Sequence, residues 1–184
     1  MTEIRPAASA DPARWLLRAD VGWQDLVRYG PPGFEVYLRI VLAEVDGPGE
    51  PPALRTALAT LAAFTTTPAH AFAAIWEGWT GADAAPEAPT VPIPNRTMLL
   101  FTGPVGVLRD APELAWHGVA QGYQEPHLVW PEDRAWCLAC EVDEEIEFSV
   151  GCSLDAAEAL ARALPGVVRQ VPYGAPAPMY RDEA

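Results

Sequence analysis

The side chains that could do chemistry are few. Cysteines stand at Cys137, Cys140 and Cys152, and histidines at His70, His117 and His127. Cys137 and Cys140 have the spacing of a zinc clip or a redox pair. Just beyond them Glu141, Asp143, Glu145 and Glu147 fall on every second residue. All twelve basic residues are arginine. There is therefore no amine for a Schiff base, a phosphate-binding loop or a general-base lysine. Ser9, Ser149 and Ser153 all lie outside a G-x-S-x-G elbow, and no H-E-x-x-H occurs.

Spacing decides what the cysteine pair does. In a strand, neighbouring side chains point to opposite faces, so residues three apart face opposite ways. The surrounding Trp136, Leu138, Ala139 and Val142 include nothing that turns the chain. Both thiols are accordingly read as core residues of a central strand covered on both sides. Cys152 precedes a helix start, where the dipole lowers a thiol pKa, and a nucleophile there would need His117 or His127 as base. Its simpler reading is a small residue filling a strand-to-helix turn. The carboxylate run could hold Ca²⁺ or Mg²⁺ on one strand face. A turn at Asp143, Glu144 and Glu145 would disperse it, and we read it as solvated.

Seven tryptophans offer a different chemistry. Trp76 and Trp79 bracket an expected helix end, and Trp130 and Trp136 bracket the Pro131–Arg134 stretch. Indoles either build a core or floor a pocket. The pocket reading gathers Trp76, Trp79, Arg96, His117, His127, Trp130, Asp133 and Arg134 as candidate ligand-binding residues. It assigns no catalytic residue, metal ligand or cofactor.

The elements that must position these groups follow from periodicity. Asp11-Pro12 starts a short helix, and a second carries Trp23, Leu26 and Val27. Phe34, Val36, Leu38, Ile40 and Leu42 alternate with period two and predict a strand. Leu54, Leu58 and Leu61 predict a helix, and Thr67-Pro68 caps a further helix stopped at Gly78. Strands are expected at 97–102, 127–130, 135–142 and 145–150. Ser153 caps a helix over 154–164, and 167–171 adds an edge strand. Residues 1–10 and 174–184 are expected to be frayed, and 81–94 to form a long Pro-rich loop. The whole, residues 1–184, reads as one α+β domain: an antiparallel or mixed sheet with helices packed against it.

Composition bounds the partners. The formal net charge is −13, from 12 basic and 25 acidic residues. Such a field repels phosphate backbones and anionic membranes, and the arginines are scattered from Arg5 to Arg181. Nucleic acid and membrane are thus excluded as expected partners, while a neutral or basic protein or small molecule stays open. The uncharged stretch from Thr56 to Trp76 is cut by Pro68 and reads as two short soluble helices rather than a membrane span. With no signal pattern at the start and an odd cysteine count, a cytoplasmic location is expected.

Four blocks carry a resemblance: DLVRYGPPGFEVYLRI, TTTPAHAFAAIWEGW, PNRTMLLFTGP and WPEDRAWCLACEVD. Together they resemble a family of uncharacterised actinobacterial proteins. The resemblance implies a bacterial, cytoplasmic protein and brings no activity with it. The expected function is that of a non-catalytic domain that binds a ligand or partner. The alternative is an enzyme of unrecognised type with a pocket near Trp130 to Arg134.

Overall fold

The computed structural model describes residues 4–42, 52–80, 87–109 and 126–180. A 3-10 turn, Asp11–Ala13, leads into α1 (Arg14–Leu17) and α2 (Trp23–Tyr29). The further helices are α3 (Pro52–Leu61), α4 (Glu77–Thr80), α5 (Val105–Arg109) and α6 (Leu154–Ala163). The strands are β1 (Arg5–Pro6), β2 (Val36–Val41), β3 (Ala71–Trp76), β4 (Thr90–Ile93) and β5 (Arg96–Gly103). They continue with β6 (Leu128–Pro131), β7 (Cys137–Ala139), β8 (Glu147–Cys152) and β9 (Val168–Val171). These nine strands form one sheet in the order β1-β5-β3-β6-β7-β8-β2-β9, with β4 beside β1 on β5. Every pairing among the described residues is antiparallel, and the domain is α+β.

Side-chain parity divides the sheet between two cores. Ala71, Ala73 and Ile75 of β3, Leu99 and Phe101 of β5, and Leu138 of β7 pack with α3, α5 and α6 on one face. Ala74, Met98, Leu100, Cys137 and Ala139, one residue out of step, pack with α1 and α2 on the other. β2 and β8 bury Val36, Leu38, Ile40, Phe148 and Val150 on the first face. Their second face carries Tyr37, Arg39, Glu147 and Ser149, all buried.

Two glycines make this geometry possible. Gly30 ends α2 with φ +72°, and a Cβ there would lie 2.9 Å from the Cys137 sulfur. At Gly151 a Cβ would lie 2.4 Å from the Phe34 ring. Either substitution would push α2 or its following loop off the sheet.

Four expectations need correction. Residues 71–76 form a strand, not the helix expected over 68–78. Alanine favours helix by propensity, but β3 is a central strand sandwiched between both cores, where small side chains fit under helices on each side. Residues 1–10 are not simply frayed, because Arg5 and Pro6 pair with Thr102 and Phe101 and Ala7 donates its N–H to Leu100. Of the loop expected over 81–94, residues 81–86 lie outside the described residues, and Thr90–Ile93 form β4, which turns tightly through Pro94 and Asn95 (φ 61°) into β5. Residues 174–180 are bonded to the domain by their carbonyls, at Ala175, Ala177 and Met179. No helix among the described residues is long and apolar enough to cross a membrane.

Candidate functional site

The cysteines are settled by the strand geometry. Cys137 belongs to the α1–α2 core and Cys140 to the opposite one, as a spacing of three in a strand requires. Both are buried free thiols. Burial pushes the Cys137 thiol up. Cys152 lies inside β8, and burial, followed by the Glu35 charge, pushes its thiol up to about 12. The helix dipole therefore activates no nucleophile there, because desolvation dominates.

His127 sits just before β6 and is 6% exposed. Its Nδ1 accepts the Trp76 N–H at 2.9 Å, in line with the backbone ladder between β3 and β6. The imidazole is thereby neutral, with its proton on Nε2. Burial, then the Arg96 charge, lowers its pKa to about 3. A general base would need a value near working pH and access to substrate, and His127 has neither.

Arg96 opens β5 directly after the tight turn, on the same face as Met98 and Leu100. Its guanidinium lies 5.5 Å from the centre of the Trp23 ring and 5.2 Å from that of Trp76. Its Nε donates to Glu141 Oε1 at 2.6 Å, and its Nη2 to Asp143 Oδ2 at 2.7 Å. Nη1 donates to the Asn95 carbonyl. Two indole faces and two carboxylates thus fix one cation, each contact strengthened by the others' exclusion of water.

The carboxylate run, expected to be solvated, is so only at Asp143 and Glu145. The chain does turn at Val142 and Asp143, which scatters the acids, but Glu141, Glu144 and Glu147 are buried. Arginines compensate each one. Glu144 receives Arg28 Nη2 at 3.0 Å and a close ion pair from Arg39. Glu147 receives Arg39 Nε at 3.0 Å and Arg169 Nη2 at 2.7 Å. Burial pulls the Glu147 pKa up, but the bonds from Arg169 and Arg39 outweigh it and hold the carboxyl below its ordinary range. Arg39 is fully buried, bonds Ser149 Oγ at 2.9 Å and lies over the Tyr29 ring. No His, Cys, Asp and Glu grouping among the described residues has the arrangement of a metal site.

Between the start of α2, the β7–β8 turn and the C-terminal segment lies a groove of about 380 Å³. Trp23, Asp25, Arg28, Arg96, Asp143 and Tyr180 line it. Both arginines are held by carboxylates, whereas Asp25 makes no hydrogen bond or ion pair among the described residues. Asp143 is half exposed, at 48% of its side chain, and Tyr180 more so.

Trp76, Arg96 and His127 lie together at one end of β3, and of the three Arg96 lines the groove. Trp130, Asp133 and Arg134 lie at the far end of β3, where Ala71 pairs with Pro131. Five residues separate Ala71 from Trp76, roughly 16 Å at strand rise. Trp130 is buried, stacked on Phe72 and edge-on to Trp15. Asp133 accepts from the Thr65 and Thr66 hydroxyls and the Thr66 N–H, and so pins its turn to the loop after α3. Arg134, at φ 57°, lies over the Trp15 ring. These groups serve the fold. Trp79 lies in α4, its side chain outside the described residues, as is His117. Sequence reasoning passed over Trp23, Asp25 and Arg28, and took Glu141 and Asp143 only as members of a solvated carboxylate run. The one available signal was the clustering of unpaired acids beyond Cys140 in a chain whose only cations are arginines.

No family model matches the chain, and no curated protein or solved structure gives a significant match.

Proposed function

We propose that the protein is a non-catalytic binding domain whose groove takes a cationic ligand, such as a basic side chain or a small organic cation. One observation carries the reading. The groove's arginines are neutralised by Glu141, Asp143 and Glu144, which leaves Asp25, among the described residues, as the charged side chain without a hydrogen-bond or ion-pair partner. The Trp23 and Tyr180 rings beside it suit the apolar stem of such a ligand or a cation over a π face. A volume of about 380 Å³ fits a small molecule or one long side chain. The chain's charge of −13 favours the same sign of ligand. Catalysis finds less support, since the His127, Cys137 and Cys152 side chains are held in their neutral forms by burial in the cores. The reading places the protein in a bacterial cytoplasm, away from nucleic acid and membranes.

The test pairs two probes that differ only in charge, arginine amide and citrulline amide, titrated calorimetrically into the full chain at low salt. Arginine amide is expected to bind, and citrulline amide to bind at least tenfold more weakly. Asp25→Asn should lose the preference. Equal binding of the two probes overturns the reading, as does native mass spectrometry that finds a co-purified anionic metabolite.

A further inference from the structure

The groove accounts for only one side of the C-terminal segment. Its other contacts follow a regular pattern. The Tyr29 hydroxyl donates to the Ala175 carbonyl, Arg28 Nη2 to that of Ala177 at 3.1 Å, and the Glu145 N–H to that of Met179 at 2.9 Å. Acceptors at 175, 177 and 179 are spaced by two, the period of an extended backbone. Between them stand Pro176 and Pro178, which have no N–H to offer. Ahead of this run the Tyr173 ring lies 4.9 Å from Tyr37 and 5.7 Å from Tyr29, and its hydroxyl donates to the Gly30 carbonyl at 3.0 Å. A turn closed by Ala175 N–H to the Pro172 carbonyl, with Gly174 at φ 70°, joins the segment to β9.

The domain therefore reads this segment by one aromatic anchor and three main-chain carbonyls. Apart from Tyr173, its residues up to Pro178 are Gly, Ala and Pro, and the bonds just given use none of their side chains. This is how aromatic-lined grooves recognise extended, proline-interrupted peptides, whose stiff backbone loses little entropy on docking.

We propose that the channel formed by Tyr29, Tyr37, Arg28 and Glu145 is a docking site for an extended, proline-interrupted segment led by an aromatic residue and carried by another protein. The chain's own residues 173–180 occupy it as an intramolecular mimic and hold it closed until displaced. A second copy of the chain is the poorer occupant, because two bodies of net charge −13 repel. The tethered segment competes at an effective concentration in the millimolar range, so the native chain resists a free peptide. Loosening the anchor lifts that competition.

The experiment titrates a fluorescein-labelled peptide of residues 171–180, VPYGAPAPMY, into the full-length protein and into full-length Tyr173→Ala, each shown to be folded by circular dichroism. Tyr173→Ala is expected to bind the peptide at least tenfold more tightly than wild type, and to lose it when the peptide's first tyrosine, the one at position 173, is replaced by alanine. Equal binding by the two proteins overturns the proposal, as does binding indifferent to that tyrosine. A concentration-dependent dimer with exchanged tails would make a second copy the occupant and overturn the assignment to another protein. Hydrogen exchange on the wild type gives an answer that needs no variant. The Glu145 amide, covered only by the segment, is expected to exchange about 100-fold faster than the Leu42 amide, which is bonded to Ile146 inside the domain. Equal protection of the two amides overturns the proposal.

Discussion

His127 makes the stability of this protein depend on pH in a window where carboxylates are silent. Folded, its pKa is lowered to about 3, because the buried ring already accepts the Trp76 N–H and faces Arg96. Unfolded, it returns to about 6.5. Between these values the unfolded chain binds a proton that the folded one refuses. Stability is therefore fully present above pH 6.5 and is lost as pH falls. From pH 7 to pH 5 the loss works out at about 2 kcal/mol, and at pH 4 it reaches about 3. The first figure barely depends on the folded value, which lies well below the window. Against a total of ~5–15 kcal/mol this is a large share. Urea melts at pH 7, 6 and 5 measure it, with His127→Asn as reference. Asparagine keeps an acceptor near the Nδ1 position and does not titrate. Wild type is expected to lose about 2 kcal/mol more than the variant across the window. Parallel losses in both proteins would mean that His127 is charged or exposed in the fold, and the account of the β3–β6 ladder would fall with it.

Other perturbations test the interior. Trp136→Ala removes a fully buried indole from the core under α3 and α6 and should cost ~3–5 kcal/mol in a denaturant melt; near-wild-type stability would place the ring at the surface. Arg39→Met takes the buried partner from Glu144 and Glu147, leaving them only the partly exposed Arg28 and Arg169, and should cost ~3–5 kcal/mol, of which adding Glu144→Gln restores a part; strictly additive losses would show that the pair is uncoupled. Because Glu147 is held below its ordinary range, its ion pairs contribute above roughly pH 4.3 and fade on further acidification, a slope that Arg39→Met should flatten. The purified protein should contain no stoichiometric zinc by metal analysis; one zinc per chain, lost on Cys137→Ser or Cys140→Ser, would mean that the chain turns between the two thiols.

Much of the fold was legible because single faces carry single periods. β2 and β8 alternate, β5 reads as an apolar run, and Ser153 caps α6 through the Ala156 N–H at 3.3 Å. The opposite facing of Cys137 and Cys140 followed from parity alone. β3 was not legible, because a strand covered on both faces shows no alternation and its alanines mimic a helix. The burial of Arg39 was not legible for a related reason. Its place in the β2 pattern looks solvent-facing, and what covers that face is Tyr29 from α2 and the glutamates of the β7–β8 region. At the site, Trp76, Arg96 and His127 were chosen as residue types with chemistry. Trp23 and Asp25 join Arg96 only through the docking of α2 on the sheet, and Asp143 through the turn after β7, neither of which local spacing encodes.

The arginine-only composition reads in the sequence as a bias toward GC-rich codons, yet the fold exploits the guanidinium's planar fork. Arg28 meets both oxygens of Glu144 through Nε and Nη2, Arg96 divides Nε and Nη2 between Glu141 and Asp143, and Arg39 spans Glu147 and Ser149. A lysine, a single point charge, satisfies only one such partner at a time. The stretch of chain tied down in this way is 141–147, which by composition should be the most mobile part of the sheet. Anchored from α2, β2, β5 and β9 at once, it becomes a rigid wall. That wall lines the proposed cation groove with Asp143 and gives the C-terminal segment the Glu145 N–H. The same ion pairs that cancel this acidic stretch internally thus leave Asp25 as the groove's unpaired charge among the described residues, and binding and fold stability meet in one cluster. Arg96→Lys should accordingly weaken arginine amide binding and lower stability together, whereas Asp25→Asn should affect binding alone.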